Sequence, residues 1–438
     1  MAMSGRRRFL TRVVAAAALA AGGRAAPGAG TARGADTARV AAARVAVIGG
    51  GFAGAACALE LRALMDSLQV TLIDPTERYV TCPMSNEVLA GWRTLSSLTV
   101  TRAGLQRRGV RLVPDQAAAI DTRRRRIRLR AGGDVGYDRL VVAPGIRFLW
   151  GRPEGYTESA AASLPHAWQA GAQTEILAAQ LKAMRPGGVV AISVPAGPMR
   201  CPPGPFERAT LIAAFLARAN PRSKVLIFDA NNRFPQQDTF TSAWQALYPG
   251  MIEWIPVTRG GAVERVVPAE RILMTADGAH SADVINIIPP QAPAALCPAA
   301  GLASDHGWCP VTAAGFESTL APNVHVIGDA SIADPMPKSA SAAVAQARQC
   351  ARAIVAAFGG EAATNQVMDS VCYSRLAPDR ALAIRARFES AQGEIRKLEG
   401  AAAGDDANET SADEVRRAQQ WYRQIVMQSF NAYHSEDS

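Results

Sequence analysis

Three glycines and one acid set the first chemistry. Gly49, Gly51 and Gly54 stand at G-x-G-x-x-G spacing behind an apolar run at 45–48. Asp74 closes a second apolar run at 70–73, 20 residues beyond the last glycine. Glycine at the first position permits a tight turn, at the second lets backbone approach a pyrophosphate, and at the third lets helix pack on strand. Phosphates then sit where a helix N-terminus offers unpaired N–H groups and the positive end of its dipole. Asp74 would accept from ribose hydroxyls. The other reactive residues are seven cysteines: Cys57, Cys82, Cys201, Cys297, Cys309, Cys350 and Cys372. They form no C-x-x-C and no C-x-x-C-H, so the chain carries no c-type haem of its own and no thioredoxin-like motif. Its five histidines are scattered without ligand spacing, and no metal site is expected.

The elements that must position these residues follow from hydrophobic patterning. Residues 44–82 read strand, glycine turn, helix, strand. A short helix opens at 83–86, and strands follow at 109–113, 126–129 and 137–143, the last two assigned to a small sheet. A second strand–turn–helix–strand unit contains a helix at 167–184, a strand at 188–194, a helix at 211–218 and a strand at 224–229 ending on Asp229. Its turn, 195–205, reads PAGPMRCPPGP. Proline has no N–H to donate, so this loop is poorly equipped to cradle a pyrophosphate, and the unit reads as dinucleotide-binding in type without a nicotinamide dinucleotide. Strands at 284–288 and 323–327 lead to Gly328-Asp329, and a helix follows at 339–358. The last part holds a strand at 380–388, a polar linker at 400–410, and a capping box from Ser411 to Glu414 opening a helix through 430. The expected class is α/β: two Rossmann-like domains plus a C-terminal α+β segment. The expected boundaries are 36–150 with 296–367 for the first domain, 151–295 for the second, and 368–438 for the last.

Composition is that of a globular chain: 438 residues, 49% hydrophobic and 19% charged. The formal charge of +9 is concentrated at one end, because six arginines precede Asp36 with no acid among them. Nucleic-acid binding therefore gets little support, and the basic run 123–126 reads as a solvated hairpin. Arg6-Arg7-Arg8-Phe9-Leu10 is a twin-arginine pattern, followed by a weakly apolar stretch at 13–21 that is too short to span a bilayer. Residues 1–35 are thus expected to be an export signal, placing the mature chain in an oxidising periplasm. No integral membrane anchor is expected elsewhere.

GGGFAG, YVTCPMSNEV, PHAWQAG, VPAGPMRCPPGPFERA, GWCPV, VIGDAS and PMPKSA together resemble the flavoprotein subunit of flavocytochrome c sulfide dehydrogenase. The resemblance runs over essentially the whole mature chain. It departs at Phe206, where a tyrosine is usual, and at 341–343, where a tyrosine- and asparagine-containing run is usual. It implies FAD, with Gly328-Asp329 as a second flavin signature whose acid accepts from the ribityl chain. Gly145 ends the turn by which such flavoproteins leave their first domain, with Pro144 where threonine is common. Cys82 resembles the residue joined by a thioether to the flavin. Cys201 and Cys350 resemble the redox-active disulfide over the flavin, attacked by hydrosulfide. Glu207 resembles an active-site carboxylate that handles the sulfide or thiol proton, and Lys338 is placed to steady reduced flavin. The implied partner is a c-type cytochrome subunit. Two other functions fit the same residues: a sulfide:quinone oxidoreductase, and a non-catalytic flavoprotein partner of a sulfur-oxidation complex. Cys297 and Cys309 stand as an open pairing.

Overall fold

The computed structural model describes residues 43–359, 367–398 and 412–432. The expected export signal, the 400–410 linker and Ser411 of the capping box lie outside them.

The first unit is a five-stranded parallel sheet in the order Val324–Val326, Arg139–Val142, Arg44–Ile48, Gln69–Ile73, Arg111–Val113. Its inner strands are β-branched and apolar on both faces, as a sheet covered on both sides requires. Val47, Val141 and Val142 are fully buried. The helix Phe52–Leu64 lies on one face, with the long helix Ala340–Gly359 packed beside it. Alanines dominate the contact and let the two axes approach closely. The 137–143 run belongs to this main sheet, not to the small one. The small sheet is an antiparallel meander of Ala117–Asp121, Arg126–Leu129 and Asp134–Gly136. Burial explains the difference, since Leu140 to Val142 have no polar face to turn outward.

The second unit repeats the plan with four parallel strands in the order Ile252–Ile255, Lys224–Asp229, Val189–Val194, Val284–Ile287. Its central helix runs Gly204–Ala219 and starts seven residues earlier than the pattern alone indicates. Proline fits the first helical turn, where N–H groups lack intrahelical partners anyway, so the proline run leads into the helix. The preceding helix, expected from 167, begins at Ala172. Ala167 has a positive φ of 45° and breaks the run.

The C-terminal part adds an antiparallel sheet of Met368–Ala377, Arg380–Ala391 and Glu394–Lys397, then the helix Ala412–Phe430. The first of these strands is absent from the sequence reading. The helix seats Phe430 against Phe52 and Tyr79, with ring centroids 5.3 and 5.5 Å apart. Tyr422 shares a 2.6 Å hydrogen bond with Thr81. Among the described residues no helix is long and apolar enough to cross a membrane.

Candidate active site

The glycine turn is built as its spacing requires. Gly49 has φ +95°, and a Cβ there would fall 2.3 Å from the Ala143 carbonyl oxygen. A Cβ on Gly54 would fall 1.9 Å from the Gly49 oxygen. Gly51 differs: its Cβ would meet nothing nearer than the Tyr79 hydroxyl at 3.6 Å. The helix behind it has no side-chain cap, so no capping side chain satisfies its first N–H groups. Asp74 is held in place. Its Oδ2 accepts from the Gly50 N–H at 2.6 Å, and its Oδ1 accepts from Thr76 N–H at 2.8 Å and Arg102 Nη2 at 2.9 Å. Arg102, which the sequence reading does not single out, also donates from Nε to the Gly50 oxygen. Burial pulls its guanidinium down from the ordinary arginine value, against the pull of Asp74.

At the carboxyl end of the same sheet, Gly328 has φ +73° and donates its N–H to Gln346 Oε1 at 2.7 Å. Burial pushes the Asp329 carboxyl up, opposed by Arg200 and Lys338. Lys338 donates from Nζ to the carbonyls of Asp329 and Ser331, at 2.9 and 2.8 Å, and lies 3.9 Å over the Trp308 ring. Gly145 has φ +70° with open space beside its Cα. Cys82 Sγ lies 4.0 Å from the Trp168 carbonyl oxygen, to which Arg200 Nη2 also donates. The tether candidate and a half-buried cation thus meet on one carbonyl.

The expected Cys201–Cys350 pair is not formed. Cys201 has φ +53° and donates its N–H to the Lys338 carbonyl at 2.7 Å, at the start of the long helix. Cys350 is ten residues beyond Ala340 in that helix, roughly 15 Å along it at ~1.5 Å per residue. A disulfide needs Cα atoms within about 7 Å. Cys350 instead hydrogen-bonds Cys57 on the neighbouring helix. Ahead of Cys82, the thiol that acts most strongly on Cys201 is that of Cys372, on the strand Met368–Ala377. Its thiol hydrogen-bonds Ser339, while the neighbouring Val371 donates its N–H to Ser341 Oγ at 2.9 Å. Cys201 and Cys372 are therefore both fixed to residues 338–341, and each sulfur interacts with Glu207. Burial pushes the Cys372 thiol up to about 11. It raises the Cys201 thiol further, against the opposing pull of Arg200. Cys297 and Cys309, left open above, hydrogen-bond each other in the buried core.

Glu207 stands in the first turn of Gly204–Ala219. Its Oε2 accepts from Asn86 Nδ2 and its Oε1 from the Arg375 N–H, both at 2.8 Å. Burial pushes its carboxyl up to about 7, while those two donors favour the charged form and Glu87 opposes it. Beside it lies a buried ionic chain: Arg375 pairs with Glu87 at 2.8 Å, and Arg93 pairs with the same carboxylate at 3.1 Å.

Whether a flavin dinucleotide fits can be judged from unsatisfied groups. Of the ten buried side-chain polar atoms without a partner among the described residues, three are donors that lie here: Arg102 Nη1 at the glycine turn, and Trp168 Nε1 and Gln291 Nε2 beside the Arg200–Cys201 loop. Buried donors without partners are rare. Here they accompany a helix N-terminus without a side-chain cap, which suits a ligand with phosphates at one end and carbonyl acceptors at the other.

A family model described as "Sulfide dehydrogenase [flavocytochrome c] flavoprotein chain, central" matches residues 174–289, and its flavin-binding counterpart matches 364–430. A pyridine nucleotide-disulphide oxidoreductase model matches 43–163. Among curated proteins, a sulfide dehydrogenase flavoprotein chain of Chlorobaculum thiosulfatiphilum is 56% identical over 45 residues, 10% of this chain and 94% of that sequence. A sulfide-quinone reductase of Aquifex aeolicus is 29% identical over 184 residues, 41% of each chain, so the match spans about two-fifths of that relative. In fold, the sulfide:quinone oxidoreductase structure from Aquifex aeolicus superposes with a TM-score of 0.67 at 19% identity, covering 90% of this chain and 94% of that one.

Proposed function

The chain belongs to the flavoprotein family of the flavocytochrome c sulfide dehydrogenases, and we propose that it oxidises hydrosulfide at a Cys201–Cys372 pair beside FAD. The observation that carries this reading is the convergence of Cys201, Cys372 and Glu207 at the start of one helix.

Gly49, Gly51, Gly54 and Arg102 would hold the pyrophosphate, Asp74 the adenosine ribose, Asp329 the ribityl chain, and Cys82 the isoalloxazine through a thioether. Gly145 follows the carboxyl end of Arg139–Val142, the strand beside Val324–Val326, which leads to the Asp329 carbonyl that Lys338 holds. When bound, FAD supplies a two-electron acceptor that passes electrons onward singly. The chain's own chemistry starts with Cys201 and Cys372 as a disulfide. Hydrosulfide attacks one sulfur, the S–S bond breaks, and a persulfide and a thiolate result. A second hydrosulfide removes the outer sulfur as HSS⁻, leaving a dithiol. Returning that dithiol to the disulfide releases two electrons, so two HS⁻ give HSS⁻, one proton and two electrons. Glu207, with a carboxyl near neutrality, takes the proton. Arg200 offsets part of the burial cost of a thiolate at Cys201. The residues 195–203 fill the place of a nicotinamide-binding turn.

The onward acceptor is read as a c-type cytochrome subunit in the periplasm, supported by the twin-arginine segment and by the absence of C-x-x-C-H from this chain. The likeness to sulfide-quinone reductases supports quinone as the second reading. Anaerobic sodium sulfide should bleach the flavin of the purified protein. Cytochrome c should then restore the colour faster than a soluble quinone analogue. Bleaching that fails removes every catalytic reading, and faster recovery with quinone selects the second. Acid precipitation should leave FAD mass on the chain, and Cys82→Ala should release it.

A further inference from the structure

Asn86 is the residue whose geometry goes furthest beyond this reading. It is 9% exposed and opens the short helix Asn86–Leu89, four residues after Cys82. Its Oδ1 accepts from Arg208 Nε at 3.1 Å. Its Nδ2 donates to Glu207 Oε2 at 2.8 Å and reaches the Gly204 carbonyl at 3.4 Å. An asparagine amide can usually be turned over without changing the fit to density or shape. Here it cannot. Arg208 has donors only, and its other nitrogens are committed to the carbonyls of His166 and Ala167 and to Asn286 Oδ1. The oxygen of Asn86 must therefore face Arg208, and its N–H groups must face Glu207. Arg208 is itself clamped, lying 4.9 Å over the Trp168 ring.

Glu207 is thus gripped at both oxygens, by Asn86 on Oε2 and by the Arg375 N–H on Oε1. Each grip uses one lone pair and leaves one per oxygen for the reacting proton. The charged groups facing Glu207 from the packed elements are Glu87 on the short helix, Arg375 and Cys372 on the strand Met368–Ala377, and Cys201 with Arg208 on its own side. We propose that Asn86, oriented by Arg208, is a positioning residue that holds the Glu207 carboxyl as a proton acceptor toward Cys201 and Cys372. The inference rests on the role given to Glu207 above.

The test reads Glu207 itself as well as the rate. Infrared difference titration of the flavin-bearing protein should show a protonated-carboxyl band that is absent in Glu207→Gln. Its midpoint, near pH 7 in the parent protein, should move upward by about one unit or more in Asn86→Ala, because a hydrogen bond to a charged group is worth about that much. The rising limb of sulfide-dependent bleaching should move with it. The rate at pH 7 should fall about fivefold, because the ionised fraction drops from about one half to about one tenth when the midpoint rises by about one unit, and recover at higher pH. A merely structural loss would lower the rate at every pH and leave the midpoint in place, and that result overturns the proposal. Asn86→Asp keeps the shape and the Arg208 contact but turns an oxygen toward Glu207, so its midpoint should rise further. If Asn86→Ala does not fold, this variant decides, and an unmoved midpoint overturns the proposal equally. Should Glu207→Gln leave the rate profile untouched while Asn86→Ala moves the infrared midpoint, Asn86 still sets Glu207 and only the catalytic role of Glu207 fails.

Discussion

The two parallel-sheet units of this molecule share a plan and differ at one turn. In the first, Gly49 to Gly54 lead into the helix with no proline in the turn. A Cβ on Gly51 would meet only Tyr79, its hydroxyl at 3.6 Å, and a buried guanidinium donor stands unpaired there. In the second, prolines lead straight into the helix and Phe206 stacks on Phe234 with centroids 3.7 Å apart. The acids that end the second strand of each unit diverge in the same way. Asp74 keeps some exposure and answers to the glycine turn. Asp229 is fully buried and closed off by Trp254 Nε1 at 3.0 Å, Asn231 Nδ2 at 2.8 Å and Asn231 N–H at 3.0 Å. Topology, then, does not specify a nucleotide. Free N–H groups at the turn do, and where they are removed the same position becomes available to a cysteine.

The strongest way to break this contrast is at the second turn. If it carries thiol chemistry, Cys201→Ser and Cys372→Ser should each slow sulfide-dependent bleaching by about a thousandfold or more, as losses of members of one catalytic unit do. Cys350→Ser should leave the rate unchanged in folded, flavin-bearing protein. Loss of rate in Cys350→Ser with retention in Cys372→Ser would restore the pairing that the helix geometry rejects. NADH should not bleach the flavin, and bleaching at a rate comparable to sulfide would return the second unit to nucleotide binding.

At the first turn the expected effect is smaller. Asp74→Asn removes the counter-charge from Arg102, which is 5% exposed. Breaking a buried pair from one side costs about 3 kcal/mol. Urea unfolding should show that loss, and the variant should retain less flavin than the parent when Cys82 is also replaced by Ala. Full flavin retention would mean that Asp74 is only a structural brace.

Much of this was legible in the chain. The strand–turn–helix–strand order of both units, the Gly328-Asp329 turn and the long helix after it all follow from hydrophobic period and glycine placement. Glu207 could be singled out, but not its partners. Arg102 and Arg375 are brought in by tertiary packing and no local pattern marks them, while the motifs that contain Asn86 and Arg200 do not tell what those side chains touch. The cysteine pairing was misplaced for a physical reason. The strand at 368–377 alternates weakly and is buried at both ends, so it carries little period-2 signal. Cys350 comes from the resemblance alone, and without this strand nothing in the sequence places Cys372 beside Cys201. Pro378-Asp379, a turn pair between 368–377 and the clearly alternating strand after it, was the available clue.

The finest discrimination lies at Asp229. Asp229→Asn leaves the fold's shape but turns a donor toward Trp254 or Asn231. The cost should be about 1 kcal/mol, that of one buried hydrogen bond, with flavin content and bleaching unaffected. A second signature separates it from Asp74. Burial pushes the Asp229 carboxyl above its unfolded value, so over the interval between the two values the folded chain binds more protons than the unfolded one. Stability contributed by this group is full below the unfolded value, about 3.9, and is lost as pH rises through the folded one. Asparagine cannot titrate, so the variant should show a flatter fall in urea midpoint across that interval than the parent. Equal slopes would mean that Asp229 stays ionised throughout. Loss of flavin in Asp229→Asn to the extent seen in Asp74→Asn would show that the closed turn still holds a nucleotide, and the contrast between the units would fail at the position where they match most closely.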